Sequence, residues 1–414
     1  MDAHDFLSRH HMHPAQLDAE AILAAFSEEM QRGCAGLPSS LGMFPAYISA
    51  AAQPEEGRVL VIDAGGTNLR LARLSYRDGK LSIEEMKKRS MPGTGDAISA
   101  AEFFHTLALE LLPLCEDVER ACFCFSYPCE VLSDGDGIAV RLTKELSVDG
   151  LPGQRLCAPL EEELVKLGAV GHRRWRVIND TVASMLCGMA QVEEAYDDFV
   201  GFILGTGFNM CAHVSSAAIT KAPAAVEQGE SCIVNFESGG FDRFLRGTAD
   251  ARLDAKSEIP GAQPVEKCIS GAYQAPILTE TLCLAMEEGL FSPDFALPFL
   301  SSVEVSALCE DAVLYPAMNA SDYALLRELN ALLLERAAIL SACCLAAAIR
   351  SRQLPAGSRV CVCADGTTFA RNPLLKPLTA RFLGEYLASV GVTADFLQVS
   401  DATLLGTAYA ALLP

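Results

Sequence analysis

The sequence has no excess of basic residues, and this limits the partners that it can bind. Its 32 lysines and arginines are outnumbered by 53 aspartates and glutamates, so the formal net charge is −21. Proteins that bind nucleic acid need a basic face, and anionic membranes attract basic segments. We therefore expect neither a nucleic acid nor a membrane as a partner. An anionic ligand would have to be held locally, by backbone N–H groups, a metal ion or one or two cations.

Cysteine motifs for metal or redox chemistry are also missing. None of the 16 cysteines forms a C-x-x-C pair, which gives no support to a zinc ribbon or a thioredoxin-like site. Secreted disulfide frameworks are normally short, whereas this chain has 414 residues. We therefore expect reduced, mostly buried cysteines in a cytoplasmic protein.

The chain also lacks an apparent targeting or membrane-spanning segment. The first residues, MDAHD, have neither the basic region nor the apolar stretch of a signal peptide. The apolar run at 337–349 is shorter than the roughly 20 residues that a bilayer requires, so it predicts a buried helix. Four of the seven histidines lie at positions 4, 10, 11 and 13. We expect residues 1–14 to be a flexible, solvated segment, with a metal site as the alternative.

Short apolar strands alternate with helical patterns along the chain. We predict strands at 59–62, 70–74, 122–126, 175–178, 200–204 and 360–363, and helices at 15–32, 101–115, 182–192, 321–350 and 402–412. Half of the residues are hydrophobic, and no low-complexity linker or short repeat interrupts the chain. The pattern predicts an α/β protein of two or three domains, with ligands bound at the carboxyl ends of strands.

Three glycine turns follow predicted strands: DAGGTN at 63–68, GTGFN at 205–209 and ADGT at 364–367. Glycine lets the backbone approach a ligand closely, and successive N–H groups can then point at phosphate oxygens. Glycines also make ordinary tight turns, but three at strand ends favour phosphate binding. The sequence has no Walker motif, and it lacks the clean G-x-G-x-x-G of NAD sites. Asp63 is a candidate to hold Mg²⁺ through water.

Polar residues at the ends of apolar segments form a second group. Asp180 follows the predicted strand at 175–178, where a carboxylate can act as a general base facing a cleft. The same residue precedes a predicted helix and could cap it instead, and the pattern favours neither role. The other members offer donors and acceptors suited to a polyhydroxylated ligand. They are Ser126, Asn179, Asn209, Glu237 and Glu266, with Thr143 and Lys144 as further candidates.

In their order along the chain, these segments resemble the eukaryotic-type hexokinase family, from about residue 29 to residue 370. The similar segments are EMQRG (29–33) with MFP (43–45), IDAGGTNLR (62–70), FSYPC (125–129), TK (143–144), NDTV (179–182), GTGFN (205–209), NFESG (235–239), EKCISG (266–271) and DGT (365–367). Each segment alone is a weak signal, whereas the ordered set is specific.

The resemblance implies a kinase that uses ATP and Mg²⁺ to phosphorylate the 6-hydroxyl of a hexose, D-glucose in particular, for glycolysis. Asp180 would be the base that takes the proton of that hydroxyl, and Asp63 would hold Mg²⁺ through water. The residues implied to hold the hexose are Ser126, Thr143, Lys144, Asn179, Asn209, Glu237 and Glu266. Those implied near the magnesium ion and the nucleotide are Asp63, Gly65, Gly66, Thr67, Asn68, Arg70, Gly205, Thr206, Gly207, Asp365, Gly366 and Thr367.

The resemblance also implies a ribonuclease-H-like fold, with two actin-type α/β lobes and a central cleft between them. The smaller lobe would contain residues 58–179 and about 401–414, and the larger lobe would contain residues 15–57 and 180–400. We expect the protein to be a monomer.

The sequence departs from the family pattern at four segments. The family's TKGF is replaced by TKEL at 143–146, its EWGAFG by ESGGFD at 237–242 and its GxYLGE by GAYQAP at 271–276. Its GSGxGAA segment corresponds to part of DATLLGTA at 401–408. These departures bear on sugar range and ATP affinity more than on the chemistry. The alternatives are a kinase for fructose, mannose or an N-acetylhexosamine, a catalytically weak sugar sensor, and an actin-like ATPase. Asp180 argues against the sensor, and Ser126, Glu237 and Glu266 argue against the ATPase.

Overall fold

The protein is described from a computed structural model that covers residues 2–49, 51–66, 68–142, 146–192, 194–310 and 313–414. Helices and strands alternate along these residues, as expected for the α/β class. Each strand and helix predicted from the sequence corresponds to an element of the structure, although the boundaries shift by several residues.

The helices and strands have the following bounds. The helices are α1 (Ala3–Arg9), α2 (Ala19–Cys34), α3 (Ala100–Leu111), α4 (Cys157–Lys166), α5 (Asp180–Gln191), α6 (Thr248–Lys256), α7 (Pro264–Ile269), α8 (Gly271–Glu287), α9 (Ser302–Ala307), α10 (Ala320–Ser351), α11 (Thr367–Arg371), α12 (Leu375–Leu387) and α13 (Ala402–Leu412). The strands are β1 (Phe44–Ser49), β2 (Gly57–Gly65), β3 (Asn68–Arg77), β4 (Lys80–Ser90), β5 (Ile98–Ser99), β6 (Arg120–Phe125), β7 (Cys129–Val131), β8 (Gly137–Ala139), β9 (Val148–Asp149), β10 (Arg174–Ile178), β11 (Asp198–Leu204), β12 (Phe208–Ser215), β13 (Ser231–Asn235), β14 (Arg359–Asp365) and β15 (Thr393–Leu397).

Contacts between residues divide the chain into two compact units. The hairpin unit contains Phe44–Ala195, Cys211–Asn235 and Leu397–Pro414, and the glycine-turn unit contains Met1–Met43, Tyr196–Met210 and Phe236–Phe396. The predicted lobes are bounded differently: they place 44–57, 180–195, 211–235 and 397–400 in the larger lobe, whereas the contacts group these segments with the hairpin unit.

A five-stranded sheet forms the centre of the hairpin unit, with the strand order β10-β6-β2-β3-β4. Strands β10, β6 and β2 are parallel, and β2, β3 and β4 are antiparallel. Strand β2 is buried from Val59 to Ala64, as the apolar run at 59–62 predicts for a central strand, and the buried stretch includes Asp63. The carboxyl ends of β2, β6 and β10 consequently meet at one edge of the sheet, where Asp63, Ser126 and Asp180 are found.

Helices cover the sheet of the hairpin unit. A cluster of buried side chains that includes Phe103, Phe123 and Leu160 joins the strands to α3 and α4. Helix α13 contacts β2, β6 and α5. Gly406 of α13 approaches α5 so closely that a Cβ atom there would lie 1.7 Å from the carbonyl oxygen of Ala183. This close packing fixes α5, the helix that begins at Asp180.

The glycine-turn unit contains the parallel pair β11 and β14, with β15 next to β14. Helix α10 is its longest helix and contacts α2, α7, α8 and α12. Arg336 of α10 is 2% exposed and donates two hydrogen bonds to Asp250, at 3.1 and 2.6 Å. A buried charge of this kind requires its partner, so the pair ties α10 to α6.

The apolar segment at 337–349 lies within α10 and is buried, as predicted. Among the described residues, α10 alone has the length and apolar composition of a membrane-spanning helix. Its most apolar 18-residue segment is 94% buried inside the protein, and buried core helices of soluble proteins can have the same length and composition. All 16 cysteines are free, and most of them are buried.

The N-terminal segment differs from the flexible, solvated segment that we expect for residues 1–14. Residues Ala3–Arg9 form α1, and its apolar side chains Phe6 and Leu7 are fully buried. Nε2 of His10 lies 2.7 Å from Oε1 of Glu288, and Nδ1 of His4 lies 2.8 Å from Nε2 of His13. The burial of this apolar face orders the segment, which the histidine-rich composition conceals.

Candidate functional site

The first part of the candidate site is the β2–β3 hairpin of the hairpin unit. Its register pairs Asp63 with Arg70 and Gly65 with Asn68. Asp63 therefore lies within β2, whereas the sequence pattern places it in the turn that follows the strand. Gly66 has a φ of 56°, a left-handed conformation that glycine adopts without strain. The hydroxyl of Tyr127 donates a 2.5 Å hydrogen bond to the carbonyl of Gly66. This hydrogen bond holds the backbone of Gly66 in place.

Arg70 is fixed by three oxygen atoms in the hairpin unit. It donates 2.7 Å hydrogen bonds to Oδ2 of Asp63 and Oδ1 of Asp401, and a 2.6 Å bond to Oγ1 of Thr403. The Thr403 hydroxyl in turn donates to Oδ2 of Asp63 at 3.1 Å. Sequence reasoning missed Asp401 and Thr403 as site residues, because nothing in the local sequence signals a contact with a hairpin more than 300 residues away.

Asn179 and Asp180 lie at the junction of β10 and α5, and the structure shows which of them caps the helix. Asn179 is the N-cap of α5, and its Oδ1 accepts a 2.9 Å hydrogen bond from the N–H of Thr181. Asp180 is the first residue of the helix, and its Oδ1 accepts from the same N–H at 2.8 Å. The capping position therefore belongs to Asn179, and Asp180 lies one residue further on, at the edge of the sheet.

A cavity of about 390 Å³ in the hairpin unit is bordered by several of these residues, although not by Gly66, Asn179 or Asp401. It is lined by Asp63, Gly65, Asn68, Leu69, Arg70, Lys88, Arg89, Ser126, Asp180 and Thr403. Sequence reasoning also missed Lys88 and Arg89, because charged residues on an exposed edge strand ordinarily face only water. The lining places two carboxylates beside three cations, which is a suitable environment for a proton acceptor next to a bound phosphate.

Ser126 is positioned by the strand that precedes it. Its N–H donates a 3.1 Å hydrogen bond to the carbonyl of Ala64, which continues the β6–β2 pairing past the end of β6. A Cβ atom on Gly65 would lie 3.4 Å from the Ser126 hydroxyl oxygen, so the two residues are neighbours. Burial, together with Asp63 and Asp180, raises the pKa of the Cys124 thiol, which lies beneath this edge, well above its usual range.

Three candidates, Thr67, Thr143 and Lys144, lie outside the described residues. Their roles remain predictions.

In the glycine-turn unit, the turn Gly205-Thr206-Gly207 is held by three hydrogen bonds, two from the start of α8 and one from Thr368 of α11. The N–H groups of Gly271 and Ala272, at the start of α8, donate to the carbonyls of Gly205 and Thr206 at 2.8 and 3.2 Å. The hydroxyl of Thr368 donates to the Gly205 carbonyl at 3.0 Å. These bonds occupy carbonyl groups of the turn and fix its backbone.

The loop at Asp365 and Gly366 packs directly against this turn. Gly366 has a φ of 111°, and a Cβ atom there would lie 2.4 Å from the Leu204 carbonyl oxygen, so only glycine fits. Asp365 ends β14 and accepts a 2.7 Å hydrogen bond from the N–H of Gly366. Thr367 then begins α11. The structure therefore brings together the two predicted phosphate and nucleoside segments of this unit.

Asn209, Glu237 and Glu266 also form a group in the glycine-turn unit. Oε2 of Glu266 accepts a 2.9 Å hydrogen bond from the N–H of Phe208, directly after the glycine turn. Oδ1 of Asn209 accepts from the N–H of Ser238 at 3.1 Å, which links it to the loop that carries Glu237. A Cβ atom on Gly207 would lie 2.8 Å from Oε2 of Glu266. The predicted hexose ligands of this unit thus adjoin its predicted phosphate turn.

Comparisons with protein families give matches over nearly the whole chain. Two family models, both described as hexokinase, match residues 2–190 and residues 199–413.

Among curated proteins, the chain is 30% identical to hexokinase-3 of Rattus norvegicus over 443 residues, which cover 95% of this chain and 46% of the relative. It is 27% identical to hexokinase-2 of Candida albicans over 437 residues, which cover 95% of this chain and 88% of the relative. The chain spans about half the length of the similar proteins of rat, mouse and human.

Solved structures show the same fold. A structure described as hexokinase has a TM-score of 0.79 and 22% identity, and the match covers 98% of both chains. A hexokinase from Schistosoma mansoni, complexed with glucose, has a TM-score of 0.76 and 23% identity, and the match covers 95% of both chains. These likenesses confirm the predicted fold class, the two-lobed α/β fold of the actin type.

Proposed function

We propose that this chain, which belongs to the hexokinase family, transfers the γ-phosphoryl group of ATP to the 6-hydroxyl of a hexose, with D-glucose as the preferred substrate. The observation that carries the proposal is the cavity of the hairpin unit, in which Asp180 lines the same wall as Asp63, Arg70 and Ser126. A base that orients the attacking hydroxyl and a fixed cation that stabilises phosphate charge are two of the groups on which enzymatic phosphoryl transfer relies.

Asp180 acts as the general base. Its carboxylate accepts the proton of the hexose 6-hydroxyl while the hydroxyl oxygen forms a bond to the γ-phosphorus, and the bond to the β,γ-bridging oxygen breaks to release ADP. Asp180 positions the 6-hydroxyl and accepts its proton, because phosphoryl transfer needs little covalent chemistry from the protein.

Positive charge at the cavity stabilises the phosphoryl group during transfer. Arg70 is already fixed by Asp63, Asp401 and Thr403, so its guanidinium does not have to reorganise when phosphate arrives. Lys88 and Arg89 add further charge to the lining. In the glycine-turn unit, the N–H groups of Thr206 and Gly207 would supply donors for phosphate oxygens, whereas the N–H of Gly205 donates to the Gly207 carbonyl at 3.0 Å.

Asp63 fits a magnesium ion that is bound through water. Among the described residues, the side chains of Arg70 and Thr403 both donate to Oδ2 of Asp63. The carboxylate also borders the cavity. Within the described part of the chain there is no group of three or more metal-binding side chains, which agrees with a metal that keeps most of its waters. When bound, magnesium would neutralise charge on the phosphates.

The hexose hydroxyls would be bound by Ser126 and Asn179 in the hairpin unit and by Asn209, Glu237 and Glu266 in the glycine-turn unit. Amides and carboxylates supply the mixture of donors and acceptors that a polyhydroxylated ligand needs.

The free, mostly buried cysteines fit a reducing compartment. We therefore also propose a cytoplasmic enzyme at the start of glycolysis.

A comparison of the wild-type chain with Asp180→Asn tests the proposal. We expect the wild type to form glucose 6-phosphate from glucose and MgATP in a coupled assay. The variant should fold and bind glucose by calorimetry, but its kcat should fall by about 10²–10⁴, the usual effect of losing a general base. A variant with near-normal kcat would remove Asp180 from the chemistry. A wild type that binds glucose but makes no product would indicate a sugar sensor.

A further inference from the structure

The loop that carries Glu237 has an unusual backbone conformation. Glu237 has φ 54° and ψ 51°, which is the left-handed region that residues other than glycine rarely adopt. Such a conformation persists only where the surrounding structure determines it. Because Glu237 is a proposed hexose ligand, whatever holds this loop also sets the geometry of the hexose site.

Helix α2 packs against both ends of the loop. The Phe26 side chain is fully buried, and its ring centroid lies 6.3 Å from that of Phe236 and 5.0 Å from that of Phe241. The N–H of Met43 donates a 3.2 Å hydrogen bond to the carbonyl of Phe236. These contacts anchor the residues that flank the loop, and they leave its centre to be fixed by other groups.

Glu29 lies one turn after Phe26 in α2, and it organises the segment that reaches the centre of the loop. The residue is only 6% exposed. Its Oε2 accepts hydrogen bonds from the N–H of Ser40 at 2.6 Å, the hydroxyl of Ser39 at 2.9 Å and the hydroxyl of Ser40 at 3.0 Å. Burial alone would raise the pKa of Glu29, but these bonds and Arg243 outweigh it and lower the pKa. The group is therefore an ionised anchor.

Ser40 passes this anchoring on to the loop. A Cβ atom on Gly240 would lie 2.4 Å from the Ser40 carbonyl oxygen, so the two backbones are in direct contact. The N–H of Gly240 donates to the carbonyl of Glu237 at 3.2 Å. A continuous path of contacts therefore leads from the Glu29 carboxylate through Ser40 and Gly240 to the backbone of Glu237.

We propose that Glu29 is a positioning residue for the hexose site, and that it holds Ser40 against Gly240 so that Glu237 keeps its left-handed conformation. The inference rests on the proposed function, since it takes Glu237 as a hexose ligand. It also gives a role to the EMQRG segment at 29–33, which contributes no group to the chemistry.

The effect of Glu29 should be selective for the sugar. Among the described residues, its carboxylate makes hydrogen bonds or ion pairs with Arg32, Ser39, Ser40 and Arg243, and none of these lies in the glycine turn at 205–207 or in the loop at 365–367. Disturbing this anchor should therefore change hexose binding and leave nucleotide binding unchanged.

The test is the variant Glu29→Gln. A neutral amide oxygen cannot serve three donors as well as a carboxylate oxygen does, and the new NH₂ group would face either the Ser39–Ser40 donors or Arg243. We expect the glucose KM, and the glucose Kd measured by calorimetry without nucleotide, to rise at least tenfold. The ATP KM should stay within twofold and the kcat at saturating glucose within threefold of wild type.

Glu28→Gln is the matched control. Glu28 precedes Glu29 in α2, is exposed, and binds Arg243 at 2.6 Å but makes no contact with Ser39 or Ser40. It should retain wild-type values for both substrates.

Several outcomes would overturn the inference. A folded Glu29→Gln with the wild-type glucose Kd would do so, and so would equal rises of the glucose and ATP KM, which indicate a general structural loss. If Glu29→Gln does not fold, the double variant Ser39→Ala, Ser40→Ala replaces it, with a three- to tenfold rise in glucose KM expected and an unchanged KM contradicting the inference. A wild type that phosphorylates no hexose would refute the proposed function instead, whereas an active wild type with an unaffected variant would refute only the role of Glu29.

Discussion

A single guanidinium, that of Arg70, joins three parts of the hairpin unit. Its hydrogen bonds go to Asp63 in β2, to Asp401 before α13 and to Thr403 in α13. The planar donor fork of arginine suits such a divided set of acceptors, and its charge cannot be lost by deprotonation. The positive charge therefore stays in one place at the cavity wall where Asp180 also lies.

Two glutamates of the glycine-turn unit give a prediction about sugar affinity. Glu237→Gln and Glu266→Gln should each raise the glucose KM about ten- to hundredfold, because each loses a charge-assisted hydrogen bond worth roughly 1.5–3 kcal/mol. The effect on kcat should be smaller. Steady-state kinetics with glucose and ATP varied separately measure both quantities.

Glu287→Gln is the control for this pair, since Glu287 is exposed and binds Arg252 at the surface. It should leave the glucose KM unchanged. Wild-type KM values for both Glu237→Gln and Glu266→Gln would show that the hexose binds elsewhere.

Part of the residue-level account was predictable from the sequence. Polar residues at strand ends identified Ser126, Asp180 and Asp63, because the carboxyl ends of parallel strands meet at one edge. The sequence could not assign the helix cap to Asn179 instead of Asp180, since both side chains can accept a backbone hydrogen bond. Nor could it pair Arg70 with Thr403, which lies 333 positions away.

At the scale of helices, the contact between α13 and α5 determines where Asp180 is held. Gly406→Ala should destabilise the protein by at least about 1–3 kcal/mol, because the added Cβ would lie 1.7 Å from the Ala183 carbonyl oxygen and the helices must separate. The kcat should fall with the displacement of α5. Chemical denaturation and the coupled assay measure the two effects.

Gly384→Ala provides the matched control. Gly384 lies in α12, and a Cβ atom there would meet nothing within 4 Å. Alanine should leave activity unchanged and stabilise the protein by about 0.5–1 kcal/mol, because it lowers the entropy cost of the helix. Equal stability changes for the two variants would mean that α13 and α5 are not closely packed.

Three of the elements that the sequence did not predict were missed for different physical reasons. Strand β4 is charged along both faces at the edge of its sheet, so it lacks the alternation that marks a half-buried strand. Helix α8 contains Pro276 in its interior, a residue that normally ends a helix. Helix α1 has only 7 residues, which is too short to show a helical period, and the tertiary burial of Phe6 and Leu7 stabilises it together with the Asp2 N-cap.

At the scale of the whole molecule, the proposed chemistry draws on two compact units. The hairpin unit contains Asp180 and the cations of the cavity, and the glycine-turn unit contains the predicted phosphate turn and the two glutamates that we propose as hexose ligands. The chain spans about half the length of the rat relative, yet it matches both hexokinase family models.

The most direct test is ³¹P nuclear magnetic resonance of the purified 414-residue chain with MgATP and one sugar at a time from a panel of glucose, fructose, mannose, glucosamine and N-acetylglucosamine. With glucose, the γ-phosphate signal of ATP should be replaced by that of glucose 6-phosphate in a one-to-one ratio, faster than for the other sugars, and ATP should remain intact without sugar. Product from another sugar but not from glucose would contradict the proposed preference. ATP that stays intact with every sugar, or that is hydrolysed to inorganic phosphate whether or not sugar is present, would contradict the assignment as a hexokinase.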